Sequence, residues 1–81
     1  MPRVLTDSTG TYVKVGFPIY QDGVEVSRVW MWVQVADTTA RAGRLATSDA
    51  DVPYVRAGDS VTFAPDDFGL LRWKRRREGT R

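Results

Sequence analysis

The sequence predicts an all-β domain, a small partly closed antiparallel barrel of five to six short strands. Three observations carry this expectation. Residues 24–35 hold no Gly or Pro, are mostly β-branched or aromatic, and alternate with period two. Short β-compatible runs recur along the rest of the chain, with Gly, Pro and Asp at the corners between them. No segment shows the apolar spacing of a ten-residue amphipathic helix.

The elements follow in order. Residues 1–11 mix Asp, Ser, Thr, Gly and Pro and read as an extended lead-in with a turn near Ser8-Thr9-Gly10. Residues 12–15 alternate, but Gly16 and Pro18 make this strand short or place it on an edge. Gln21-Asp22-Gly23 is a hairpin turn, because Asp-Gly between apolar runs suits the left-handed backbone of a tight turn. In the strand that follows, Val29, Met31, Val33 and Val35 share the core face, and Arg28, Trp30, Trp32 and Gln34 share the other. Residues 36–39 turn, and residues 40–47 form a strand in which Gly43 marks a bulge or a bend. Residues 48–53 are an acidic polar loop, and Tyr54-Val55 begins a short strand. Ala57-Gly58-Asp59 is a turn, and residues 60–64 form a strand with Val61 and Phe63 aligned. Pro65-Asp66-Asp67 opens at most one helical turn, over residues 65–68, since Pro suits a first helical position and Asp a first turn. Residues 70–74 close the domain as a last strand. Residues 1–74 are thus one small barrel domain, and residues 75–81 a basic C-terminal tail. An SH3-like barrel suits so short a chain better than an OB-type barrel, which usually has a longer chain and a helix between two of its strands.

Composition excludes much chemistry. The 81 residues contain no Cys and no His, so thiolate and imidazole zinc sites and Ser-His-Asp or Cys-His nucleophile pairs are absent. The loop acids Asp49, Asp51, Asp59, Asp66 and Asp67 match no calcium-loop spacing. No glycine-rich phosphate loop is present, and no apolar run reaches the length of a signal peptide or a membrane span. A non-enzymatic, cytoplasmic protein without cofactor, metal or membrane association is expected.

The net charge of +2 is unevenly spread. Residues 1–71 carry six basic and nine acidic side chains, a net of −3, and residues 72–81 carry six basic and one acidic, a net of +5. The candidate binding residues are therefore Arg72, Trp73, Lys74, Arg75, Arg76 and Arg77, whose charge suits nucleic-acid backbone. With them go Arg28, Trp30 and Trp32, since tryptophans stack on bases and an adjacent Arg contacts phosphate. The Trp30 and Trp32 face is either such an open surface or is covered by the N-terminal segment or by Trp73. A protein with an acidic surface is the other partner the arginines suit, because their forks match carboxylates as well as phosphates.

Met31-Trp32-Val33-Gln34-Val35, Gly43-Arg44-Leu45, Gly58-Asp59-Ser60-Val61-Thr62-Phe63, Phe68 and Trp73 stand in an order that resembles the YegJ-related family. These are small bacterial and phage-borne domains of unknown function. The resemblance covers residues 27–74 and departs from the family pattern at residues 46–56 and at the arginine-rich end. It implies a small β fold and carries no activity. A phage-borne or mobile-element inhibitor that binds a host protein is the second function this resemblance suits.

Overall fold

The two longest strands meet at Asp22-Gly23. Both residues have positive φ, 54° and 80°, the geometry of a two-residue type I′ hairpin, whose twist matches that of its strands. The turn joins β2 (Gly10–Gln21) to β3 (Val24–Asp37), which pair antiparallel from Gln21 opposite Val24 to Tyr12 opposite Gln34. The computed structural model describes residues 4–37, 39 and 41–75. Among these, β1 (Val4–Asp7), β4 (Ala42–Leu45), β5 (Ser60–Pro65) and β6 (Leu71–Lys74) complete a single sheet in the order β1 to β6. The sheet closes on itself where Gly16 of β2 pairs in parallel with Arg72 of β6. Strands β2 to β6 thus form a closed barrel, and β1 pairs with the first residues of β2. No described residue is helical, so no helix among them is long and apolar enough to cross a membrane.

Alternation decides what the barrel encloses. Val13, Val15 and Phe17 of β2 face inward with Met31 and Val33 of β3, Leu45 of β4, and Val61 and Phe63 of β5. Val29 and Val35 pack against this core from the ends of the inward face of β3. Each buried Val, Leu or Phe contributes roughly 1.5–3 kcal/mol.

Several expectations are corrected. Residues 4–7, expected as an extended lead-in and not as a strand, are β1, and the expected turn, at Ser8-Thr9, makes a hairpin with β2. Gly16 and Pro18 do not end their strand: β2 runs through both and is the most widely paired strand of the barrel. Pro18 is tolerated because its carbonyl points away from β3, accepting a 2.6 Å hydrogen bond from the Tyr54 hydroxyl. In an extended strand its nitrogen points the same way, so the missing N–H costs the β2–β3 ladder nothing.

Gly43 marks a close approach, and the bulge lies on the partner strand, in β3 between Val35 and Asp37. A Cβ on Gly43 would stand 2.1 Å from the Gln34 carbonyl oxygen. Tyr54-Val55 begins no strand. Together with the acidic loop before it, this pair plugs one barrel end: Val52 of the loop and Val55 are buried in the core cluster. The loop's polar residues satisfy the backbone of this segment, Asp49 accepting from the Asp51 N–H and Ser48 from the Ala57 N–H. Pro65-Asp66-Asp67 is not helical. Pro65 ends β5, and residues 66–69 turn directly into β6 around the Asp66 carboxylate.

Candidate functional site

Gly16 is the centre of the outer face. It pairs with Trp30 on β3 and with Arg72 on β6. Lacking a side chain, it leaves a depression that the Trp30 ring covers: a Cβ there would stand 3.1 Å from two Trp30 ring carbons and 3.3 Å from Arg28 Cδ. The indole and the Arg28 stem therefore lie side by side over one residue. Trp30 remains 39% exposed, so this part of the face is open. Trp32 is half-buried, with Lys14 Nζ 5.0 Å from its ring centroid, a cation–π contact across the β2–β3 pair. Beyond Trp32 the face is committed to structure, since Gln34 Nε2 donates to the Thr9 carbonyl of the β1–β2 turn at 2.8 Å.

Arg28 and Arg72 converge on one carboxylate. Arg28 Nε donates to Glu25 Oε2 at 2.8 Å, and Arg72 Nη2 donates to Glu25 Oε1. Strict alternation from Arg28 would put Glu25 on the opposite face. A register shift opposite Ile19/Tyr20 inserts one residue into β3 and turns Glu25 toward the two arginines. Arg28 Nη1 also reaches Asp66 Oδ2 at 3.3 Å. The hydrogen bond from Arg28, aided by Arg72, holds the Glu25 carboxyl below its ordinary pKa, and the same bond raises that of Arg28. Desolvation pushes the Asp66 carboxyl up, but hydrogen bonds from the Phe68 and Leu70 N–H groups and from Arg28 outweigh it, and its pKa is lowered.

Trp73, whose facing the sequence left open, turns inward. Its ring stacks at 6.4 Å from Phe17 and lies 4.7 Å from Tyr54. It fastens β6 to the core, and burial pushes the Tyr54 hydroxyl up to about 12. Lys74 and Arg75 are exposed. Arg76 and Arg77 lie outside the described residues. Arg28, Arg72, Lys74 and Arg75 line one open groove of about 660 Å³, with Tyr20 on one side and Phe68 of the β5–β6 turn on the other. The groove continues the Trp30 surface, because Arg28 and Arg72 belong to both.

No family model, curated protein or solved structure matches this chain.

Of the nine sequence-predicted residues, the fold brings Arg28, Trp30, Arg72, Lys74 and Arg75 to one continuous surface, with Trp32 at its border. It directs Trp73 to the core. Sequence reasoning did not count Gly16, Lys14, Glu25, Asp66 or Phe68 among the binding residues, although it read Asp66 as a loop acid and Phe68 as part of the family-like pattern. A lone Gly inside a strand signals a close approach, and at Gly16 that signal was available. Glu25 carried no signal, because only the bulge puts it beside Arg28. Among the described residues no group of acids is placed to hold a metal ion.

Proposed function

We propose that this chain is a non-enzymatic binding module that holds a single nucleic-acid strand on the outer face of β2, β3 and β6. The observation that carries the reading is the exposed Trp30 ring lying beside Arg28 over Gly16, with Arg72 opposite. A base stacks on the indole, and the phosphate that follows meets the guanidiniums, the pairing of stacking platform and cation that small barrels use on single strands. Lys14, Lys74 and Arg75 form no ion pair among the described residues and add counterion-releasing contacts. Arg76, Arg77 and Arg81 add to the basic total of the sequence. A duplex is the weaker fit, since no helix stands among the described residues to enter a major groove.

The test is a salt titration of binding to a labelled single-stranded oligonucleotide. Affinity falls steeply with salt, and the slope lessens when Lys14 is replaced by Gln or residues 76–81 are removed. Trp30→Ala weakens binding about tenfold or more, the usual loss for a stacked base, without changing the fold. Absence of binding at low salt sinks the reading and moves the weight to a protein partner with an acidic surface.

A further inference from the structure

We infer that Phe68 is a second stacking platform, so that the strand runs from Trp30 across the Arg28–Arg72 pair to the β5–β6 turn. The inference rests on the single-strand reading above and extends it to a residue that the sequence analysis did not count among the candidate binding residues. Phe68 is 87% exposed, the most exposed large apolar side chain among the described residues. Isolated exposed apolar residues are common, but the backbone that presents this one is held in place. Asp66 Oδ1 accepts from the Phe68 N–H at 2.8 Å and from the Leu70 N–H at 3.0 Å. The Asp66 N–H donates to the Leu70 carbonyl at 2.8 Å and the Gly69 N–H to the Asp66 carbonyl at 3.0 Å. Gly69, at φ 81°, takes the left-handed position that this tight turn requires.

The other oxygen of Asp66 binds Arg28. One carboxylate thus fixes both the turn that presents the ring and the guanidinium that would meet the adjacent phosphate. Such preorganisation removes ordering cost from binding. The groove between ring and strand is lined by four cations, Arg28, Arg72, Lys74 and Arg75, and by Asp66 and Asp67. With Glu25, which pairs with Arg28 and Arg72, three carboxylates stand against them, a surplus of one positive charge. That surplus complements a phosphodiester backbone. Arg28, two residues from Trp30 on β3, reaches Asp66 of the turn at 3.3 Å, so the indole and the Phe68 turn flank one guanidinium. The ligand class is a single strand of about four nucleotides or more, the lower end of the site sizes of small barrels.

The experiment uses the full chain and homopolymeric single strands from about 2 to about 16 nucleotides, read by Trp fluorescence quenching and by anisotropy of a labelled strand. Phe68→Leu weakens the longer strands about tenfold, leaves the shortest unaffected, and preserves both Tm and the quenching amplitude at saturation. Phe68→Tyr restores affinity, because the aromatic face is what matters. If Phe68→Leu binds every length like the wild type while Trp30→Ala loses affinity, the second platform is overturned and the single-strand reading stands. If the wild type binds no strand at low salt, both fall. If a polyglutamate peptide binds instead and Phe68→Leu abolishes that binding, Phe68 is a protein anchor and the inference is overturned.

Discussion

Gly43 and Gly23 show that two glycines can be required for unrelated reasons. At Gly43 the constraint is space: the Gln34 carbonyl oxygen occupies the place of a Cβ. Gly43→Ala therefore costs about 3 kcal/mol, the upper end of overpacking penalties, read as a lower midpoint in urea unfolding. At Gly23 nothing stands within 4 Å, and the constraint is its φ of 80°. Gly23→Ala there costs about 1 kcal/mol. The sequence singled out Gly43 as a strand irregularity but could not supply the reason, because the oxygen belongs to a residue nine positions earlier. Tyr54 makes a pH prediction. Its folded pKa is raised, so its contribution to stability is complete below pH 10 and is lost as pH rises toward about 12. Tyr54→Phe removes that alkaline loss, seen as a flatter Tm between those limits, while lowering Tm at neutral pH through the lost bond to Pro18.

The β5–β6 turn is the element on which structure departs furthest from local propensity. Pro followed by two Asp residues suits a helix start, yet Asp66 uses its carboxylate to bind the N–H groups of Phe68 and Leu70 and so returns the chain into β6. Asp and Asn favour both outcomes by the same hydrogen bond to backbone, and only the register of β5 with β6, Pro65 opposite Leu71, selects the turn. Asp66→Ala lowers Tm and speeds amide exchange at Phe68 and Leu70, and Asp66→Asn, which keeps an acceptor oxygen, recovers most of both. In the loop after β4 the error ran the other way. Val52 stands among acids and a Pro, but its side chain is fully buried at the barrel end. Val52→Ala costs about 2 kcal/mol, measurable by the same unfolding midpoint.

Among the described residues the barrel is closed by a single backbone pairing, Gly16 with Arg72. Side chains carry the remainder of that seam: Trp73 against Phe17 and Tyr54 inside, and Glu25 between Arg28 and Arg72 outside. Both carboxyls of the outer network have depressed pKa values in the folded state. The folded form therefore binds fewer protons, so the network's contribution is present above the ordinary carboxyl range and is lost as pH falls through it. Tm declines on acidification below about pH 4.5, and Glu25→Gln flattens the decline.

The inner face of β3, the Asp22-Gly23 hairpin and the all-β class were legible because they are local. Residue type, period two and turn chemistry act over a few positions, and the fold retains them. A barrel was expected from the strand pattern, but the Gly16–Arg72 pairing that closes it, the inward turn of Trp73 and the burial of Val52 were not legible, since each depends on residues far apart in the chain. The same holds for the outer face of β3. Its residues Arg28, Trp30, Trp32 and Gln34 are one stripe in the sequence. Tertiary structure divides them into a ring left open over Gly16, an arginine held by a carboxylate that a bulge re-aimed, an indole half-covered by Lys14 and a glutamine tied to the β1–β2 turn. Periodicity determines which way a side chain points. What it meets there is decided by packing.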